Sequence, residues 1–160
     1  MITDIRPYKL SDKENVIKIF NSNCPKYFDK NDLSDLIDFL DNYADNNFKV
    51  VLYNKEVIGC GGHYVKHSDK VFGIAWVMFR RFSMGKANFQ IISKQFFKHI
   101  LTNIDKENLD FDIVINTSQL LEKTFNKFDF WTERVIKNGY GENLDHYVMR
   151  RKLNTKKKNA

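Results

Sequence analysis

Ile74-Ala-Trp-Val-Met-Phe-Arg-Arg-Phe-Ser-Met-Gly-Lys-Ala-Asn88 runs straight into Phe89-Gln-Ile-Ile-Ser-Lys-Gln-Phe-Phe-Lys-His-Ile100, and this join decides the fold. The first part opens as an apolar strand and ends in a short loop carrying Gly85 and the small Ala87. The second part has apolar residues at helical spacing. A strand, a small-residue loop and a helix start, in that order, form an anion cradle. The N–H groups of the loop and first helical turn lack an intrahelical acceptor and lie at the positive end of the helix dipole. Taken alone, the same join also fits a plain turn in which Gly85 only eases a chain reversal.

Working outward, Val71–Phe79 reads as one buried strand, entered from the turn His67-Ser-Asp-Lys70, and the helix after the loop continues to about Asn103. Upstream, Phe48–Tyr53 and Glu56–Val65 form a hairpin through Asn54-Lys55. Gly59, Gly61 and Gly62 inside the second of these strands predict a bulge or a close backbone approach. Two helices precede the hairpin. The first opens at a capping box, Ser11-Asp-Lys-Glu14, with Val16, Ile17, Ile19 and Phe20 on its apolar face. The second starts near Asn31 or Asp32 and carries Leu33, Leu36, Ile37 and Leu40 at three-to-four spacing. Thr3–Pro7 is a short first strand. Downstream come a strand around Ile113, a short helix from Gln119, an apolar re-entry at Phe128 and Phe130, and two last strands around Arg134 and Tyr147.

The chain of 160 residues is 42% hydrophobic with 14 Phe, enough for one domain over residues 1–153 with its own core. Residues 154–160 read as a basic disordered tail. Cys24 and Cys60 are too few for a disulfide framework and form no CxxC pair. The longest apolar run, Val71–Phe79, is far short of the roughly 20 residues needed to span a bilayer. The first residues lack the basic-then-apolar layout of a signal peptide. These features point to a cytoplasmic protein without a membrane partner. The net charge of +6 sits largely at Arg150-Arg-Lys152 and Lys156-Lys-Lys158. Charge of that kind tolerates anionic ligands, and no motif asks for nucleic acid. A nucleic-acid-binding domain would instead show strongly salt-dependent affinity.

A second motif-bearing stretch, Phe111-Asp-Ile-Val-Ile-Asn-Thr-Ser-Gln-Leu-Leu-Glu-Lys-Thr-Phe-Asn-Lys-Phe-Asp-Phe-Trp131, reads as strand, Thr/Ser cap, short helix and re-entry. Lys137-Asn-Gly-Tyr-Gly141 and Leu144-Asp-His-Tyr-Val-Met-Arg-Arg-Lys-Leu153 close the chain as turn and strand. With the Ile74–Ile100 join, these segments resemble the Gcn5-related N-acetyltransferase superfamily, in the branch with a Thr-Ser-Gln start and a Gly-Tyr-Gly end. The order of elements agrees from Ile5 to Leu153. The resemblance implies an α+β fold, a three-layer α/β/α sandwich around a mixed, mostly antiparallel sheet. It further implies acetyl-CoA as co-substrate, a primary amine acceptor, and direct attack without a covalent enzyme intermediate. Dimers are usual for the fold, so a homodimer is open.

In the resembled loop, Arg/Gln-Gly-x-Gly-x-Gly/Ala, main-chain amides hold the pyrophosphate. Aligned on Gly85 and Ala87, the cofactor-binding residues are Met84, Gly85, Lys86, Ala87, Asn88 and Phe89. Met84 stands at the basic or amide position, and the bulky Phe89 stands at the last glycine. Val77, Met78 and Phe79 offer backbone groups to the pantetheine amides, although the same three residues also fit an ordinary core strand. Ser118 lies where the family often has a pantetheine-binding Asn, and it is equally well placed to cap the next helix. Lys86, Arg80 and Arg81 supply positive charge toward the ribose phosphate.

Acetyl transfer needs a deprotonated amine, a donor for the developing oxyanion and a route to protonate the thiolate. The family often supplies a Tyr as the acid, but Phe125 occupies that position here, and Asp129 replaces a glycine of the same motif. Tyr140 and Tyr147 are alternative acids. Glu56 and His63 are candidate bases, each balanced by a plain reading as a hairpin charge or a surface histidine. His63 and His67 are four residues apart on a strand, about 13 Å, so no metal site is expected. His99 and His146 carry no motif context. The alternative to an enzyme is a catalytically impaired member of the same fold that binds coenzyme A or regulates.

Overall fold

The computed structural model describes residues 3–153, so the expected tail at 154–160 lies outside the described residues. The elements are β1 Thr3–Pro7, α1 Lys13–Asn23, α2 Leu33–Asn42, β2 Lys49–Tyr53, β3 Glu56–Lys66, β4 Val71–Phe79, α3 Lys86–Asp105, β5 Asp112–Thr117, α4 Glu122–Asn126, β6 Trp131–Gly141 and β7 Leu144–Arg151. The strands form one sheet in the order β1-β2-β3-β4-β5-β7-β6. The pairs β1–β2, β2–β3, β5–β7 and β7–β6 run antiparallel, whereas β4 and β5 pair parallel. The chain clusters into two compact units. One holds the chain through His63 together with Ala75–Glu107, and the other holds Tyr64–Ile74 and the residues from Asn108 on.

In the first unit, side chains alternate across the strands and build three layers. Val50, Cys60 and Met78 face α1 and α2, where Val16, Ile19, Phe20, Leu36 and Leu40 close a core with Phe48. Burying each of the large aromatics Phe20 and Phe48 contributes roughly 2–3 kcal/mol. On the opposite face lies α3. A Cβ on Gly59 would meet the Phe79 ring at 2.7 Å, and one on Gly61 would meet Val77 at 2.8 Å and Phe96 at 3.1 Å. The glycines of β3 therefore permit close approach. The register with β2 also shifts beside Gly59, where Val51 pairs with Gly59 but Leu52 with Val57, so both meanings expected of them are met.

The start of α1 differs from the expected capping box. A 3-10 turn at Leu10–Asp12 precedes the helix, and Ser11 is exposed. Asp12 takes over the role, because its carboxylate is both buried and held from two sides. It accepts the Lys9 N–H at 2.9 Å and both Arg6 guanidinium nitrogens at 2.8 and 2.9 Å. The Arg6 hydrogen bond holds the Asp12 carboxyl below the usual carboxylate range, with the Lys9 N–H adding to the effect. A carboxyl depressed in the fold binds fewer protons there than in the unfolded chain. Its stabilisation is therefore complete above the unfolded value near 3.9 and is lost as pH falls through the folded value. Asp12→Asn is expected to lower stability at neutral pH and to flatten the acid limb of a stability–pH profile measured by urea unfolding.

In the second unit, β5 pairs with β7 from Ile113↔Arg151 to Thr117↔Tyr147, and β6 lines the far side of β7. Ile113, Ile115, Phe125, Phe130, Leu144 and Met149 are buried. Phe125, at the position of the family's Tyr, sits 7% exposed with its ring 6.2 Å from that of Phe130. Asp129 has a φ of +66°, the left-handed conformation that explains a glycine in the resembled motif and that Asp tolerates better than most residues.

Candidate functional site

The strand that leads into the loop is kinked. Trp76 has a φ of +47° in the middle of β4, a backbone region that a bulky side chain occupies at a cost of about 1–3 kcal/mol. The parallel ladder of β4 with β5 covers Val71, Phe72 and Gly73 and stops three residues before this kink. The Trp76 indole is clamped between Phe20 and Phe28, with centroids 6.3 and 6.0 Å away. Its carbonyl accepts from the Cys60 thiol at 3.4 Å, and burial pushes that thiol well above its ordinary range. Cys60 is thus a structural thiol, not a nucleophile. Nothing in the sequence marked Trp76, since no composition signal encodes a tryptophan at positive φ.

Beyond the kink, Met78 faces the α1/α2 core while Val77 and Phe79 face α3. All three side chains belong to the packing, so a ligand would meet this stretch through its main chain. The Phe79 carbonyl accepts from the buried Asn23 Nδ2 at 2.9 Å, and the Arg80 N–H donates to the Ile58 carbonyl at 2.7 Å. The Arg81 N–H donates to Ser22 Oγ at 3.1 Å. The end of α1 and strand β3 thereby fix where the loop begins.

The helix starts earlier than its apolar spacing indicated. Lys86, Ala87 and Asn88 form the first turn of α3, because Gly85 adopts an extended N-cap conformation (φ −65°, ψ 156°) and its carbonyl accepts the Phe89 N–H at 3.0 Å. No side chain caps this end and no acidic residue lies in its first turn. The first-turn amides of Lys86, Ala87 and Asn88 thus have no acceptor within the helix. A Cβ on Gly85 would meet nothing within 4 Å. Phe89, which stands at the family's last glycine, leans back onto the strand end instead. Its ring meets Phe79 edge-on at 5.6 Å. Met84 is half-buried, and Asn88 Nδ2 donates to the Tyr53 hydroxyl at 3.3 Å.

The proton-handling candidates divide. Glu56 is the exposed first residue of β3, opposite Tyr53 across a turn with Asn54 and Lys55 at φ 49° and 68°. That is the hairpin-charge setting. His63 is 4% exposed, and its Nε2 lies 3.0 Å from Glu107 Oε1 just beyond α3. The ring ties β3 to the end of that helix.

In the second unit, Tyr147 lies in β7 between Thr117 and Val135. The Tyr140 ring stacks on His146, centroids 4.5 Å apart and planes 32° from parallel. His146 Nε2 is 2.8 Å from Asn116 Oδ1. Burial, with Arg134 nearby, pushes the His146 pKa down, so the imidazole is neutral at pH 7, the form a base requires. The array Asn116–His146–Tyr140 draws on three strands and had no local motif to announce it. Ser118 is buried, and its Oγ accepts the Leu120 N–H at 3.4 Å in the turn before α4. The N-cap of α4 is Leu121 and no side chain caps it, so Ser118 is not the helix cap the sequence offered. Gln119 clamps the β6–β7 hairpin, donating to the Asn143 carbonyl at 2.8 Å and accepting the Asp145 N–H at 2.9 Å.

Among the described residues, no three or more His, Cys, Asp or Glu side chains gather as metal ligands, and no helix is long and apolar enough to cross a membrane. By sequence the chain matches no known family profile and no curated protein. By structure it is similar to Ard1 from Thermoplasma volcanium, with 15% identity, a TM-score of 0.74, and coverage of 96% of this chain and 99% of that one. It is similar to an acetyltransferase of the GNAT family from Staphylococcus aureus Mu50 (19% identity, TM-score 0.70, coverage 96% and 100%). A third likeness is to Arabidopsis thaliana Naa50 in complex with the bisubstrate analogue CoA-Ac-MVNAL (17% identity, TM-score 0.70, coverage 96% and 100%). The seven-stranded mixed sheet with flanking helices agrees with these likenesses, and the chain has the Gcn5-related N-acetyltransferase fold.

Proposed function

We propose that this protein is an acetyl-CoA-dependent N-acetyltransferase that acts on a primary amine, with a small molecule as the acceptor. The observation that carries the reading is the uncapped first turn of α3, reached from a strand whose backbone is kinked at Trp76. The amides of Lys86, Ala87 and Asn88 suit the coenzyme A pyrophosphate, as oriented donors at the positive helix end. Main-chain groups of Val77 and Met78 suit the pantetheine amides. Lys86, Arg80 and Arg81 add charge that favours a polyanion.

Attack by the neutral amine on the thioester carbonyl forms the new C–N bond and a tetrahedral oxyanion. Collapse breaks the C–S bond and releases the coenzyme A thiolate. A thiolate leaves at neutral pH without obligatory protonation, so the missing phenol at Phe125 is compatible with turnover. The amine proton passes to solvent water. The similar Naa50 structure holds the bisubstrate analogue CoA-Ac-MVNAL, so an N-terminal peptide amine belongs in the test.

Thiol release from acetyl-CoA, followed with a panel of amines and short peptides, tests the proposal. Release that depends on an acceptor is expected. The second reading, a non-catalytic coenzyme A-binding module, is favoured by the buried phenyl ring of Phe125. It corresponds to ligand-induced thermal stabilisation without thiol release for any acceptor.

A further inference from the structure

Phe82 is the most exposed large apolar side chain of the described residues, at 91%, and its backbone is left-handed at φ +62°. Position and environment make it more than a stray surface residue. It lies in the loop between β4 and α3, three residues before the helix cap Gly85. The loop is held on both sides of it. Arg80 and Arg81 are tied to Ile58 and Ser22, and Ser83 Oγ donates to the Arg80 carbonyl at 2.7 Å. The Arg81 guanidinium stands 4.9 Å from the Phe82 ring centroid and 5.7 Å from that of Tyr27. The Arg81 guanidinium is thus within cation–π range of the Phe82 ring, and the ring's exposure leaves it open to a further partner. Burial within its own unit accounts neither for the exposed ring nor for a positive φ at Phe.

We infer that Phe82, beside Arg81, is a stacking platform for the adenine of coenzyme A. This rests on the coenzyme A reading of the α3 N-terminus. Three residues span at most about 10 Å, within the reach of a base joined through ribose to a pyrophosphate at the helix cap. A purine face meets an aromatic ring favourably whatever its edge groups. The nearby guanidinium strengthens the ring's attraction for a polarisable partner and places positive charge beside the ribose phosphate.

Ligand truncation separates this role from simple support of the loop. Calorimetric titrations compare coenzyme A with 4′-phosphopantetheine, which lacks the adenosine portion, on the wild type, Phe82→Gly and Phe82→Trp. Glycine removes the ring while suiting the left-handed backbone, so folding is not at issue. The platform predicts a roughly 5- to 100-fold loss of coenzyme A affinity in Phe82→Gly, unchanged binding of 4′-phosphopantetheine, and near wild-type coenzyme A affinity in Phe82→Trp. Equal losses for both ligands, or undiminished coenzyme A binding without the ring, would overturn it. A wild type that binds neither ligand contradicts the coenzyme A reading itself, and the platform with it.

Discussion

Gly85→Asp is expected to make the protein slightly more stable and to weaken acetyl-CoA binding by at least about a hundred-fold. The two effects have one cause. Gly85 is the N-cap of α3, without a side chain to accept from the first turn. An aspartate there accepts a first-turn N–H and complements the helix dipole, adding a few tenths to about 1 kcal/mol. Open space around the position means that the new Cβ meets no protein atom within 4 Å. The same carboxylate takes the donors that the pyrophosphate needs and opposes its charge. Like charges about 4 Å apart near a protein surface cost roughly 4 kcal/mol, and even three-quarters of that exceeds a hundred-fold in affinity. Thermal melts with and without acetyl-CoA measure both quantities on one sample. An aspartate variant that still gains full stabilisation from the ligand would place the anion elsewhere.

Gly62→Ala is expected to lower the unfolding free energy by about 2–4 kcal/mol. A Cβ at this position of β3 would lie 2.2 Å from the Asn47 carbonyl oxygen and 2.8 Å from Phe48 Cα. Both obstacles are backbone, so no rotamer change relieves them. Phe48 is 1% exposed and meets Tyr8 and Phe39 edge-on, so displacing it disturbs the α1/α2 core as well. Urea unfolding gives the number, and a loss below about 1 kcal/mol would mean that the approach of the 45–48 turn to β3 is looser than described.

Much of the architecture was legible because its signals are local. The apolar run bounded by His67-Ser-Asp-Lys70 and Arg80 gave β4 its full extent, Val71–Phe79. The hairpin at Asn54-Lys55 followed from turn chemistry, and both residues adopt positive φ. The start of α3 was misplaced by three residues, because Lys86-Ala-Asn88 has no apolar periodicity and the helix begins on cap geometry alone. Ser11 looked like the better cap, but the Arg6 partner that fixes Asp12 belongs to the preceding strand.

For the site, sequence reached the loop and the small residues in it, since a backbone-binding motif leaves a trace in residue size. It reached neither the Trp76 kink nor the Arg81–Phe82 pair, whose meaning depends on torsion and exposure. The Asn116–His146 pair was equally hidden, because its members are 30 residues apart and only the β5–β7 pairing unites them.

The central claim is that the first turn of α3 and the kinked end of β4 together hold coenzyme A by their main-chain groups. Backbone amide NMR during an acetyl-CoA titration tests it most directly. Saturable shifts are expected at Gly85, Lys86, Ala87 and Asn88 and at Val77 and Met78, with the largest at the helix cap. An unchanged spectrum at millimolar acetyl-CoA, or shifts that leave these six residues untouched, would contradict the account.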